Sequence, residues 1–141
     1  MDDAHGLDRF VAAQNPVIDA VRAELAAGAK RTHWMWFVFP QLAGLGLSQT
    51  ARFYGLASRD EAWAYWQHAL LGPRLVECFD LLLPHAARGP ERVLGPVDAL
   101  KLRSCLTLFE QVAPDEPVLA KLLNDYYVGE RDPATLTLLA G

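Results

Sequence analysis

The stretch that decides the fold is Leu71–Leu82, which reads LGPRLVECFDLL. Its apolar side chains recur at intervals of three or four residues, the spacing that brings side chains onto one face of an α-helix. The residues on this face are Leu71, Leu75, Cys78, Phe79 and Leu82. Gly72-Pro73 is typical of a helix start and Pro84 of a helix end or bend, so the stretch predicts a core helix.

Outward from this helix, proline and glycine divide the chain into further short segments. Apolar residues at helical spacing predict helices over 7–14, 16–27, 48–54, 58–66, 102–112, 115–127 and 133–139, with one more helical turn over 91–94. So many breaks favour short helices crossing at steep angles over a long parallel bundle. We therefore expect an all-α fold with a single domain over residues 1–141. It would be an orthogonal array of about six to eight short helices with one irregular, aromatic-rich segment.

Three helix starts carry capping residues. Asn15 is placed to cap the second helix, with Pro16 at its first position. Ser48 is placed to cap the helix that ends before Gly55. Ser58 and Glu61 match the capping box, in which each side chain accepts a hydrogen bond from the other residue's backbone N–H.

The composition is that of a globular protein inside the cell. A hydrophobic fraction of 52% and a charged fraction of 21% exclude intrinsic disorder. The formal net charge of -4 weighs against broad attraction to nucleic acid, although it leaves room for a local basic pocket. The longest apolar stretch, Trp34–Pro40, is far shorter than the roughly 20 residues that cross a bilayer. Because Met1–His5 lacks the features of a secretory signal, we expect a cytoplasmic location and no membrane partner.

Metal and cofactor motifs are absent from the sequence. Cys78 and Cys105 lie in apolar stretches, with no cysteine or histidine at ligand spacing, and are predicted to be small buried residues in a reducing compartment. The chain has no phosphate-binding glycine loop, nucleophile elbow, paired metal-binding histidines or zinc cysteine set. We predict no metal and no cofactor.

The most unusual composition is that of Lys30–Gln41, which reads KRTHWMWFVFPQ and places four aromatic residues beside cationic ones. Its apolar residues follow neither helical nor strand periodicity, so its secondary structure stays open. In one interpretation the aromatic rings are a hydrophobic plug of the core. In the other they form a pocket wall, where an indole stacks on a planar ligand while Lys30, Arg31 or His33 meets a phosphate or carboxylate.

A second charged group lies at 98–104, which reads DALKLRS. Asp98 and Lys101 are three residues apart on a predicted helix, so the simplest interpretation is a helix cap with a surface ion pair. If this helix start meets the aromatic segment, both line one pocket. The candidate ligand-binding residues are then Lys30, His33, Trp34, Trp36, Gln41, Lys101 and Arg103. The candidate catalytic residues are His33, as general acid or base, and Asp98, which would position His33 or a water; a hydrogen-bonded structural histidine is the alternative.

Three strings resemble a known family. They are Lys-x-x-His-Trp-Met-Trp-Phe-x-Phe-Pro-Gln at 30–41, Leu-Gly-Pro-Arg-Leu at 71–75 and Asp-x-Leu-Lys-Leu-Arg-Ser at 98–104. With them the chain resembles the bacterial family catalogued as domain of unknown function 1810. The resemblance covers nearly the whole chain and implies a small, mainly helical stand-alone domain. Because the family has no established activity, it supplies no catalytic residue to carry over. Some members carry a calpastatin label, which we discount because such an inhibitor is a long, Pro-rich disordered chain.

Two functions remain as hypotheses. In the first, the domain binds or acts on a phosphorylated, nucleotide-like small molecule through the aromatic and cationic pocket. In the second, it is a protein-interaction or adaptor domain without catalytic activity, which binds through an exposed apolar patch formed by other residues. A single-stranded nucleic acid ranks third, because the acidic net charge opposes it. The first hypothesis requires that the residues at 98–103 meet the aromatic segment.

Overall fold

The computed structural model describes residue 3 and residues 5–141, and within them the chain forms ten α-helices. In chain order they are α1 (Asp8–Gln14), α2 (Ile18–Ala27), α3 (Met35–Val38), α4 (Gln49–Tyr54), α5 (Arg59–Gln67), α6 (Leu71–Leu82), α7 (Pro90–Leu94), α8 (Pro96–Val112), α9 (Pro117–Tyr127) and α10 (Pro133–Ala140). Two 3₁₀ segments, Ala43–Leu45 and Leu83–Arg88, lie between them. The all-α prediction is confirmed. The helix number exceeds the six to eight expected because short pieces such as α3 and α7 close into helical turns of their own.

Helices α6 and α8 form the centre of the fold. The apolar face predicted for α6 is buried throughout, and α6 packs against α2, α5 and α9. Helix α8 begins at Pro96 after Gly95, whose φ of 91° favours glycine, and it packs against α5, α7, α9 and α10. Because α8 is covered on most sides, even its polar residues Ser104 and Thr107 are buried.

The start predicted for the second helix is wrong. Helix α2 begins at Ile18, and Asn15 ends α1 with helical backbone angles. A capping asparagine needs an extended backbone, which Asn15 does not have. Its side-chain oxygen instead accepts a hydrogen bond from the Arg74 guanidinium of α6 at 3.0 Å. The oxygen that was expected to cap α2 therefore binds α6.

The two serine caps are confirmed, and the capping box is half formed. The hydroxyl of Ser48 accepts the Ala51 N–H, and that of Ser58 accepts the Glu61 N–H, each at 3.1 Å. The Glu61 carboxylate does not return to Ser58; it accepts the Ala57 N–H at 3.2 Å and pairs with Arg9 at 2.8 Å. A tertiary ion pair with α1 therefore redirects the glutamate.

Both cysteines are free and buried, as predicted. Burial raises the pKa of the Cys78 thiol to about 12 and that of Cys105 well above its ordinary value, because a thiolate is poorly solvated there. In the described part of the chain, no helix combines the length and the apolar character needed to cross a membrane.

Candidate functional site

The aromatic segment is tied to α2 by one carboxylate. Glu24 accepts the backbone N–H groups of Arg31 and Thr32 at 2.6 and 2.9 Å, the Thr32 hydroxyl at 2.6 Å and the Trp34 indole Nε1–H at 3.1 Å. Four donors on one side chain hold 31–34 in place without regular secondary structure. Sequence reasoning missed Glu24, because an irregular partner segment leaves no spacing signal on α2.

The hydrogen bonds of this anchor also lower the pKa of Glu24. Partial burial acts to raise the pKa, but the hydrogen bonds from Thr32, Arg31 and Trp34 favour the ionised carboxylate and outweigh it. The net effect lowers the pKa from 4.5 to about 2. Glu24 is therefore a fixed negative charge at neutral pH.

Some aromatic residues of the segment belong to the core, as the plug interpretation predicts, and others are partly exposed, as the pocket-wall interpretation requires. Trp34 is 1% exposed and Phe39 equally buried, with the Phe39 ring stacked on Phe79 at a centroid distance of 5.4 Å. These two rings belong to the core. Trp36 and Phe37 are only partly buried, so each residue keeps some exposed surface. Of the two candidate indoles, only that of Trp36 offers surface to a ligand.

The residues at the start of α8 do meet the aromatic segment. The Lys30 Nζ lies 2.9 Å from Asp98 Oδ2, and the Lys101 Nζ lies 3.2 Å from Asp98 Oδ1. Lys101 also places its ammonium 3.8 Å from the centroid of a Trp36 ring, within cation–π range. We refer to Lys30, Trp36, Asp98 and Lys101 as the lysine–tryptophan cluster.

Backbone contacts set the position of this cluster. The Lys30 N–H donates to the Val93 carbonyl at 2.8 Å, which brings the segment beside the α7–α8 junction. Asp98 lies in the first turn of α8, where the helix dipole favours a negative charge. Lys101 follows three residues later and reaches back to it.

The electrostatics of the cluster are those of a semi-enclosed positive site. Within its own four residues the cluster carries one net positive charge, because two ammonium groups share one carboxylate; the neighbouring Glu24 carboxylate is already bound by four donors. The side chains of Lys30, Asp98 and Lys101 are only 8%, 16% and 17% exposed, so bulk water screens them less than ordinary surface charges. Such a group attracts an anion and has a ring beside it for a planar partner.

The other candidate residues are placed differently. His33 is exposed and makes no side-chain hydrogen bond within residues 3 and 5–141, so it has no partner that would make it a structural histidine. Gln41 shares a cavity of about 10 Å³ with Trp36, which has room for about one water. Any larger ligand would have to lie over the outer surface of Trp36.

Arg103 points away from the cluster. It lies 3.5 Å from Asp132, the N-cap of α10, and 3.8 Å from Glu130, which precedes that helix. Since each helical residue turns the chain by about 100°, the five residues from Asp98 to Arg103 rotate the side chain about 140° away. Lys101 therefore contacts the cluster, whereas Arg103 contacts the segment before α10.

Asp132, directly before the predicted helix over 133–139, is a second residue that sequence reasoning missed. It is buried, and its carboxylate accepts the Ser104 hydroxyl at 2.9 Å and the Thr135 N–H at 3.2 Å. Its own N–H donates to the Thr107 hydroxyl at 2.9 Å. The network joins α8 to α10 and is structural. Among the described residues, no group of three or more histidine, cysteine or acidic side chains is arranged to hold a metal.

Comparison with known proteins places this arrangement in a family. The crystal structure of the conserved hypothetical protein Rv1873 from Mycobacterium tuberculosis is 51% identical, covers 99% of this chain with 99% of its own, and superposes with a TM-score of 0.96. No protein with a curated description matches the chain. The family described as "Protein of unknown function (DUF1810)" matches residues 4–139. The chain therefore belongs to the DUF1810 family.

Proposed function

We propose that this protein binds a phosphorylated, nucleotide-like small molecule at the lysine–tryptophan cluster. The ligand's phosphate would lie across the ammonium groups of Lys30 and Lys101, and its planar ring against the exposed part of Trp36. Both contacts are of the kinds that anionic aromatic ligands make with proteins.

One observation carries the proposal: two lysines from distant parts of the chain converge on a single carboxylate beside Trp36, which is partly exposed. A purely structural ion pair needs one cation for one anion. The second ammonium leaves a positive charge that an anion satisfies, in a place where water screens it weakly.

The proposal concerns binding and names no reaction. Asp98 already accepts two ammonium groups, which suits a positioning role more than that of a proton acceptor. His33, which is exposed and precedes Trp36 by three residues, is the side chain that we propose as a further contact of the ligand. Because both cysteines are free thiols, we place the ligand among the metabolites of a reducing, cytoplasmic compartment.

A thermal-shift screen tests the proposal. The panel contains nucleoside mono-, di- and triphosphates, sugar phosphates and the corresponding uncharged nucleosides. A ligand present at one hundred times its Kd adds about 2.7 kcal/mol of stability, which raises the Tm by roughly 5 to 10 °C for a chain of this size. We expect a phosphorylated compound to give this shift and its uncharged nucleoside to give a smaller one.

Variants locate the binding. Lys101→Ala should weaken binding by about tenfold or more, since it removes a charge-assisted contact worth roughly 1.5–3 kcal/mol. The matched control is Lys121→Ala, which removes another lysine that is paired with an acidic residue, Asp125, in the exposed part of α9. Equal losses in the two variants, or a panel without any stabilising phosphorylated compound, would contradict the proposal.

A further inference from the structure

A second surface feature lies on the side of α5 and α6 and is separate from the lysine–tryptophan cluster. A depression of about 630 Å³ runs along α6 beside Trp66, and another of about 280 Å³ lies between α5 and the α8–α9 junction. Trp66 lines both, so the two depressions lie on either side of one indole, and we call the pair the tryptophan groove. Its floor is mainly apolar, with Trp63, Pro73, Val76 and Leu81.

The aromatic floor is held rigidly from beneath. The Trp66 ring packs on the buried Phe109 ring at a centroid distance of 5.9 Å. Helix α6 approaches α5 so closely that a Cβ at Gly72 would lie 2.1 Å from the Trp66 carbonyl oxygen. Trp63, one turn earlier on α5, is 48% exposed. The groove therefore combines a Trp66 ring packed against the core with an exposed Trp63 side chain.

The rim of the groove is acidic and largely unpaired. It carries Glu77, Asp80, Asp115 and Glu116, and among the described residues none of those lining either depression is a lysine or an arginine. Arg22 pairs with Glu77 at 2.8 Å. Within the part of the chain that the structure describes, the side chains of Asp80, Asp115 and Glu116 make no ion pair and no hydrogen bond.

We propose that the tryptophan groove docks a basic segment of a partner protein. Arginine and lysine side chains combine an apolar stem with a cationic head, so they fit a surface of exposed indoles bordered by unpaired carboxylates. The unpaired carboxylates disfavour an acidic ligand, and the neighbouring cations are already engaged, Arg22 with Glu77 and Arg59 with the Gln111 carbonyl. The same carboxylates also oppose a second copy of this chain, because a two-fold interface through the groove would place them against each other.

The experiment uses two fluorescein-labelled octapeptides, one of alternating arginine and glycine and one of alternating glutamate and glycine, titrated with the full chain and followed by anisotropy. We expect binding of the arginine peptide that weakens with added salt, and none of the glutamate peptide. Trp63→Ala should weaken binding about two- to fivefold, the scale of an exposed cation–π contact. The triple variant D80N/D115N/E116Q should weaken it about tenfold.

The matched control is the triple variant D8N/E91Q/D125N, which removes three carboxylates outside the groove and changes the net charge equally. It should alter the affinity less than twofold, and Lys101→Ala should leave it unchanged, which separates this site from the proposed ligand site. Equal losses in the two triple variants would show general charge attraction and overturn the proposal. An unaffected Trp63→Ala would overturn it as well. So would a wild-type dimer, seen by sedimentation, that Trp63→Ala dissociates.

Discussion

Glu24 accepts a 3.1 Å hydrogen bond from the Trp34 indole while it holds the backbone N–H groups of Arg31 and Thr32. A carboxylate on α2 thereby fixes the entrance of the aromatic segment. Lys30 directly precedes the residues that Glu24 holds, and its ammonium pairs with Asp98 at 2.9 Å and lies 5.1 Å from the centroid of a Trp34 ring. The position of the lysine–tryptophan cluster thus depends on a residue outside it.

Replacing Glu24 by glutamine should destabilise the fold. The amide keeps one acceptor oxygen but turns an NH₂ donor towards groups that are themselves donors. We expect a loss of about 1–3 kcal/mol in the free energy of unfolding, measured by urea denaturation. Glu130→Gln, at an exposed glutamate, is the control and should cost less than about 0.5 kcal/mol. Equal losses in the two variants would show that the hydrogen bonds of Glu24 contribute nothing.

The same residue predicts a dependence of stability on pH. The pKa of Glu24 is about 2 in the folded protein and near 4.5 when unfolded, so the unfolded state binds a proton first. The contribution of Glu24 is complete above pH 4.5 and is lost as the pH falls towards 2. Over that window wild type should lose more stability than Glu24→Gln, as followed by denaturation at successive pH values. Parallel curves would refute the assignment.

Asp98 should be costly to neutralise while Lys30 remains. In Asp98→Asn the nearly buried Lys30 ammonium loses its counter-ion, for which we expect a cost of about 3 kcal/mol. Adding Lys30→Met removes the stranded charge and should restore part of the stability. A double-mutant cycle by chemical denaturation measures this coupling. Strictly additive effects would mean that the two side chains do not interact.

Gly72 should tolerate no larger residue. An alanine Cβ would lie 2.1 Å from the Trp66 carbonyl oxygen, a backbone atom that cannot rotate away, so α6 must shift from α5. We expect Gly72→Ala to cost about 3 kcal/mol in thermal or urea denaturation. Gly141→Ala is the control, because its Cβ would meet only ordinary contacts. A neutral Gly72→Ala would show that the two helices separate freely.

Asp132 should determine whether α10 stays docked. Asp132→Ala removes the cap of α10 and leaves the buried Ser104 hydroxyl without this partner, which should cost about 2–4 kcal/mol. Hydrogen exchange should show faster exchange over Pro133–Ala140 than elsewhere. Asp132→Asn keeps one acceptor oxygen and should recover part of the protection. Uniform exchange across the chain would contradict this local role.

Much of the fold was predictable because its signals are local. Proline, glycine and the serine caps fix helix ends through the backbone of the next few residues, as Ser58 does for α5. The capping predictions failed where a side chain distant in sequence binds the residue that would otherwise cap its own helix. Arg74 donates a hydrogen bond to the side chain of Asn15, and Arg9 forms an ion pair with Glu61. Neither competitor is visible from neighbouring residues.

In the candidate site, too, the local relationships were predictable and the long-range ones were not. Lys101 was predictable as a partner of Asp98, because residues three apart on a helix face each other. Arg103 was grouped with Lys101 only because both are cations near one helix start, and the helical rotation separates them. Trp34 and Trp36 are equally aromatic in sequence, but only Trp36 reaches the surface.

By itself the sequence determined an all-α chain, its main helix ends and the apolar face of α6, since these depend on backbone geometry and on spacing along one helix. Only the tertiary structure decided that Lys30 and Asp98, from opposite sides of α6 in the chain, meet at 2.9 Å, and that Trp63 and Trp66 share an acidic groove. The physical reason is that charge and hydrogen-bond partners are chosen by distance in space, which the packing of distant helices sets.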